Sequence, residues 1–305
     1  GIGLDDMFQY DMLGRSIVSG HGYRWYAYED LQMLEPYVDF DLSGIDYDPI
    51  EGVPTSFRAP LYPLFLALIY WIFGVGPQRF LAVRVAQALL GATLAPLIHA
   101  ITLAFFPEGQ LTCGVNARRI AKITAWIVAL YPLLILYPFG LATENLFFPL
   151  LLLSFLFLIR LARNPSVGAF IAAGIFLGLS ALTRSIILPF ACLAILWVWF
   201  GLRRRRGAAL MAFAMLMLIT PWIIRNSTLH HRLVGIETSM GYNLYVGYHP
   251  ASDGSFTFGV SLDLIPILDD AERDRIGTQQ ALQFIQDDPS RILPLALNRT
   301  SFFFG

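Results

Sequence analysis

The chain has 305 residues, 56% of them hydrophobic and only 14% charged, with a formal net charge of −1 at pH 7. Soluble domains carry about 25% charged residues, so this composition excludes an ordinary water-soluble enzyme and leads us to expect an integral membrane protein. The single arginine run, Arg203 to Arg206, sits between apolar segments, so no nucleic-acid partner is expected.

The first predicted element is a helix over residues 5–19, with apolar Phe8, Met12 and Ile17 among polar positions and Gly20 and Gly22 ending it. Asp6 and Tyr10 are four apart and share a face, with Asp11 on another. An N-cap role explains Asp5 but leaves Asp6 without a structural reason. Residues 23–55 hold Glu29, Asp30, Glu35, Asp39, Asp41, Asp46, Asp48 and Glu51 among tyrosines and tryptophans. A solvated loop hugging the membrane interface is the expected reading. A divalent cation on Asp39, Asp41, Asp46 and Asp48 is the alternative, but their spacing lacks the EF-hand pattern. No metal and no other cofactor is expected.

Arg58 precedes Pro60 where apolar sequence begins. A snorkelling anchor and a two-pronged phosphate contact both fit it. Residues 61–74 are apolar but too short to cross a bilayer, which takes about 20 residues. They are expected to form a helix in the outer interface, with Pro60 and Pro63 at its first turn.

Six spans are expected, at 80–106, 120–139, 145–161, 167–183, 186–202 and 208–224. Their prolines, among them Pro132, Pro149, Pro189 and Pro221, are tolerable where neighbouring helices satisfy the freed carbonyls. Arg118, Arg119 and Lys122, then Arg160 and Arg163, then Arg203 to Arg206 occupy alternate connectors. The positive-inside rule makes those connectors cytoplasmic. Three regions follow: residues 1–79 as an extracytoplasmic loop with its interfacial helix, 80–225 as the membrane bundle, and 226–305 as an extracytoplasmic segment leading into another membrane helix. Residues 1–4 read as the interior of a segment and 301–305 as the start of an apolar run, so further spans are expected on either side. Cys113 and Cys192 fall at different expected depths, which argues against a disulfide.

Glu144 follows Thr143 at the outer start of the third span, where capping and the helix dipole would favour it. Arg184 and Arg225 sit at outer helix ends, against the positive-inside bias. A function or an ion pair should hold them there, and Glu144 is the available partner for one. His230, His231 and His249 are on the outer face, but the adjacent pair does not suit a single zinc ion, which needs about four ligands. In 240–250 alternating aromatics predict a short extended piece, suited to sugar recognition or to an interfacial belt. Residues 271–286 predict a polar helix ended by Asp287, Asp288 and Pro289.

Several weak motifs recur in one order: Asp6-x-x-x-Tyr10, Gly20-His21-Gly22-Tyr23, Arg58-Ala59-Pro60-Leu61-Tyr62-Pro63, Arg84-x-x-Gln87, Thr143-Glu144, Leu182-Thr183-Arg184, Pro221-Trp222-x-x-Arg225-Asn226 and Gly241-Tyr242-Asn243-Leu244-x-x-Gly247. Over nearly the whole chain this resembles the polytopic GT-C glycosyltransferases that use polyprenyl-phosphate sugars, in particular bacterial relatives of protein O-mannosyltransferases and of the lipid A aminoarabinose and galacturonic acid transferases. The resemblance implies an all-α polytopic membrane protein, a GT-C-like bundle in the bacterial inner membrane with its active site facing outward. It implies Asp6 as the catalytic base, Glu144 as a second acid near the site, and Arg58, Arg225 and Arg184 as donor-phosphate contacts. Asp5, Tyr10, Tyr62, Asn243 and His249 complete the expected substrate-binding set. The partners would be a polyprenyl-phosphate-linked sugar, a lipid, glycan or protein acceptor, and membrane lipid. Met7 stands where many relatives hold a further acid, and Ala59 where they hold proline. A non-catalytic subunit of a membrane assembly and a lipid-linked-sugar transporter are the alternative functions. The second sits poorly with ionisable groups at the outer edge, since transporters place theirs near the bilayer midplane.

Overall fold

The structure, a computed structural model, describes residues 6–40, 42, 47–106 and 116–304. Asp5, Asp41, Asp46 and Cys113 lie outside these. The chain is mostly helical, with one two-stranded antiparallel ribbon of β1 (Arg24–Trp25) and β2 (Val53–Pro54) among the described residues. It divides into two compact units, one of Gly1–Gly20 with Ala59–Arg225, the other of His21–Arg58 with Asn226–Gly305. The residues of the expected 1–79 region are shared between the two units. Its first and last helices, over residues 6–18 and 61–73, belong with the apolar bundle, and the segment between them belongs with the chain that follows residue 225.

In the first unit, α1 (Asp6–Val18) buries Phe8, Tyr10, Met12 and Leu13. Its partner α3 (Leu61–Phe73) buries Tyr62, Leu66 and Tyr70. Gly14 makes the approach close, since a Cβ there would stand 2.9 Å from Tyr70 Cε2. The other flank of α3 exposes Leu64, Leu68, Trp71, Ile72 and Phe73. The expected helix over 61–74 is thus present, with one face packed and the other open.

Among the described residues, three helical stretches are long and apolar enough to cross a membrane: Arg79–Phe105, Glu144–Arg163 and Arg205–Leu229. Ala117–Leu130 with Pro132–Phe139, bent by 52°, makes a fourth if the pair is one span. The first stretch comprises α4 (Arg79–Ala92) and α5 (Leu94–Phe105). Their break falls at Thr93 because Pro96 lacks an amide and its ring crowds the carbonyl of Ala92. Pro132 sets the bend between α6 (Ala117–Leu130) and α7 (Pro132–Leu136) for the same reason. α8 (Glu144–Arg163) and α11 (Arg205–Leu229) carry Pro149 and Pro221 without breaking. The remaining two expected spans are shorter. α9 (Val167–Thr183) has 17 residues. Ser185–Gly201 is a 3-10 turn, α10 (Leu188–Leu196) and a π-helical turn at Trp197–Gly201.

α9 and α11 run side by side in the same direction. A Cβ on Gly174 would come within 2.2 Å of the Met211 carbonyl, and one on Gly178 within 3.2 Å of that of Met215. This is the small-xxx-small spacing that lets membrane helices meet backbone to backbone.

In the second unit the acidic segment forms α2 (Tyr28–Leu34) between the strands. Asp48 folds back on its own turn, its Oδ1 accepting from the amides of Ile50 (2.7 Å) and Glu51 (3.0 Å). Residues 240–248 are helical, not extended: α12 (Met240–Tyr248) packs on α14 (Asp270–Asp287). Tyr242, Tyr245 and Tyr248 recur every third residue, a helical spacing, and Gly241 sits where a Cβ would come 1.9 Å from the Asp274 carbonyl. Helix crossing, not turn chemistry, explains that glycine. α13 (Phe258–Leu262) and α15 (Ile292–Phe304) complete the unit.

Candidate functional site

Asp6 lies in the first turn of α1 and is exposed. The next residue, Met7, packs against the cluster of Tyr10, Tyr62, Leu66, Ile69, Tyr70, Val83 and Leu141, as does Leu146. Tyr10 and Tyr62 meet edge to face at 5.0 Å, and both are buried. Tyr62 has no exposed surface, and its hydroxyl donates to Gln87 Oε1 at 2.6 Å. These two tyrosines, expected as substrate contacts, are buried in the packing between α1 and α3.

Arg84 and Gln87 act on the turn that leads into α8. Arg84 Nε donates to the Phe139 carbonyl (2.9 Å), and Gln87 Nε2 donates to those of Pro138 (3.0 Å) and Gly140 (2.9 Å). Asn145 Nδ2 adds bonds to the Tyr137 and Ala142 carbonyls, each 3.1 Å. Carbonyls freed where Tyr131–Gly140 departs from α-helix are thereby satisfied, and Glu144 starts α8 from a fixed base.

Glu144 forms an ion pair with Arg184, which follows the last residue of α9. Arg184 Nη1 also donates to Thr143 Oγ1 at 3.3 Å. Thr143 makes no side-chain cap, contrary to the capping expected of it, and its hydroxyl instead meets Arg184. Arg225, near the end of α11, lies with its guanidinium carbon 4.9 Å from the Trp222 ring centre. α8 runs opposite to α9 and α9 parallel to α11, so Glu144, Arg184 and Arg225 share one end of the first unit. Asp6 lies in that unit as well.

A residue absent from the expected set dominates α1. Asp11 is 2% exposed. It accepts from Arg79 Nε (2.8 Å) and Nη2 (2.9 Å), Arg15 Nε (2.9 Å) and the Tyr70 hydroxyl (2.8 Å). Burial works to raise its pKa, but the Arg79 bonds and charge, the Tyr70 hydroxyl and Arg15 outweigh this and hold the carboxyl below its usual value. The sequence signal was the arginine four residues on. The partners at 70 and 79 were beyond any local pattern.

Arg58, Asn243 and His249 belong to the second unit. Asn243 is exposed on α12. His249 caps the end of that helix, packs on Tyr245 and Phe284, and accepts through Nδ1 from the Ala251 amide at 3.1 Å. That nitrogen is committed to a turn, which suits a structural histidine better than the expected substrate contact. The guanidinium carbon of Arg58 lies 5.0 Å from the Phe57 ring centre, and its carbonyl accepts from the Tyr23 hydroxyl at 2.9 Å.

The strand leading to Arg58 is pinned to the start of α14. Asp270 Oδ2 accepts from Thr55 Oγ1 (2.5 Å) and the Ser56 amide (2.7 Å), and Asp270 pairs with the buried Arg273. Arg273 in turn lies 4.5 Å from the Phe57 ring centre and 5.4 Å from that of Trp25. Burial pushes the Tyr26 phenol up to about 12, with the Arg273 charge opposing the rise and the Asp270 charge adding to it. Ser56 Oγ meets His230 Nε2 at 2.7 Å, and His230 Nδ1 lies 3.4 Å from Asp269 Oδ1. The order of groups is that of a nucleophile, base and orienting acid. However, Ser56 has no exposed surface and its oxygen also engages Thr238 Oγ1 at 3.0 Å, so this is a packing network. Asp269 caps α14 through the amides of Ala271 (2.9 Å) and Glu272 (3.1 Å). The His230 contact and these amides hold its carboxyl well below the usual range against partial burial.

No protein-family model, no curated protein and no solved structure matches this chain. The fold defines it as an all-α protein with several helices able to span a membrane.

Proposed function

We propose that the chain is a membrane glycosyltransferase of the GT-C kind, moving a sugar from a polyprenyl phosphate to an acceptor hydroxyl on the extracytoplasmic side of a bacterial inner membrane. One observation carries the reading: the Glu144–Arg184 ion pair at one end of an apolar bundle, in the same unit as the exposed aspartate that opens α1. An arginine at such an end matches the charge of a lipid phosphate. In the reaction the acceptor oxygen bonds to the anomeric carbon as the bond from that carbon to the phosphate oxygen breaks. Asp6 takes the acceptor proton, and the electron pair leaves with the polyprenyl phosphate. Arg184 and Arg225 offset the growing charge, Glu144 orients Arg184, and Arg58 is the further phosphate contact that the resemblance implies. A single displacement inverts the anomeric centre.

The test is transfer of labelled sugar from prenyl-phosphate donors by the purified protein in lipid. Asp6→Asn is expected to abolish transfer and keep donor binding, while Arg58→Ala weakens donor binding. Unimpaired transfer by Asp6→Asn would reject the assignment of the base. No transfer from any prenyl-phosphate sugar by the wild type would reject the reading as a whole.

A further inference from the structure

The end of the bundle away from Glu144, Arg184 and Arg225 gathers a separate set of cations of the first unit. Arg163 Nη2 donates to the Phe105 carbonyl at 2.6 Å, which brings the end of α8 to the end of α5. Ala95 and Val128 line one groove, so α6 runs back along α5 and begins beside that same end. A Cβ on Gly207 would fall 2.4 Å from the Phe170 ring, which sets the first turn of α11 against the first turn of α9. Arg118, Arg119, Lys122, Arg160, Arg163 and Arg203 to Arg206 therefore converge, and all are exposed. From residue 52 to residue 236 the sequence holds two acids, Glu144 at the opposite end and Glu108, which lies outside the described residues. Three helices, α6, α9 and α11, start here while α5, α8 and the segment of α10 end here, so the helix dipoles offset one another and the side-chain cations set the sign of the charge. Arg203 takes a left-handed backbone, φ 54°, as the chain turns from the π-helical segment into α11.

We propose that this end is a binding surface for anionic phospholipid headgroups. So many cations with so little neighbouring acid repel one another and call for anions. What selects lipid over a soluble anion is the surface beside them. Phe200 precedes the arginine run, Val167 follows Arg163, and Ile123 follows Lys122, and all three are more than half exposed. A cationic rim directly bordering exposed apolar side chains matches a ligand with a phosphate head and acyl chains. The inference rests on the membrane-spanning reading of the helices and is independent of glycosyl transfer.

The test uses the full chain in phosphatidylcholine bilayers with spin-labelled phosphatidylglycerol or phosphatidylcholine, comparing the fraction of each label immobilised at the protein. Wild type is expected to favour the anionic label at least about threefold at low salt, with the preference falling as salt rises. Changing Arg203, Arg204, Arg205 and Arg206 together to Gln is expected to bring the ratio close to one. Changing the four to Lys, which keeps charge and insertion bias, should preserve it. If the Gln set does not insert, Arg160→Gln with Arg163→Gln provides the same comparison and should lower the ratio by about half. Equal association of the two labels with wild type would overturn the proposal. So would displacement of the anionic label by inorganic phosphate at constant ionic strength, which would make this a soluble-anion site. A ratio unmoved by either Gln set would also overturn it.

Discussion

Replacing Asp11 with Asn removes the charge around which α1, α3 and the start of α4 are joined. The carboxylate is almost fully buried and accepts four bonds, three of them from arginines. Removing one member of a buried pair costs about 3–5 kcal/mol when its partner stays sealed. Here the partners are not sealed: the Arg79 side chain is 16% exposed and that of Arg15 is 26% exposed. Both can recover some hydration, and the Asn oxygen can still accept from Tyr70. The expected loss is therefore about 2–3 kcal/mol. Reversible unfolding in mixed micelles measures it, and a double-mutant cycle with Arg79→Gln separates the pairwise part. The pH dependence follows from the depressed pKa of Asp11. Such a group stabilises fully above its unfolded value, about 3.9, and that contribution is lost as pH falls through the folded value. Wild type should accordingly lose stability below about pH 4, and Asp11→Asn should show a flatter acid limb. A loss under about 0.5 kcal/mol, the size of an ordinary surface change, together with an unchanged acid limb, would refute the assignment of Asp11 as the anchor of α1.

Glu144→Gln and Arg184→Gln should each lower sugar transfer about 100-fold, and the charge-swapped double variant should recover part of it, as read by initial rates. Gly174→Ala should destabilise by about 1–3 kcal/mol and Gly178→Ala by less, because a Cβ meets the Met211 carbonyl at 2.2 Å in the first case but the Leu218 side chain at 3.1 Å in the second. The same micelle unfolding measures both. Asp269→Ala should cost about 1 kcal/mol through the lost cap of α14. Hydrogen exchange at the amides of Ala271 and Glu272 should rise with it, since both donate to that carboxylate.

Much of the helix pattern could be read directly. Residues 5–19 and 271–286 correspond to Asp6–Val18 and Asp270–Asp287, and 167–183 to Val167–Thr183. Helices of this length advertise themselves through apolar periodicity, caps and glycine stops, which are local properties. Glu144 with Arg184 was legible for another reason. An arginine at an apolar helix end, against the expected charge bias, needs a partner, and few acids are nearby in sequence. The 240–250 segment misled because its dense aromatics suggest a strand, although Tyr242, Tyr245 and Tyr248 are three apart, a helical spacing. The close approach of the α14 backbone at Gly241 was not legible in the sequence.

The sequence by itself determined an apolar, helical, membrane-class chain whose cations cluster in alternate connectors, because hydropathy and charge placement are fixed residue by residue. Tertiary structure decided that residues 21–58 leave the opening region to join the chain beyond 225. It also decided that Asp11 rather than Asp6 is the buried acid of α1, and that Tyr10 and Tyr62 are packing residues. Each of those outcomes depends on which side chains meet across tens or hundreds of positions. Arg79 lies 68 residues from Asp11, and Asp270 lies 215 from Thr55. No local periodicity carries that information, because the free energy of a buried charge is set by what closes around it.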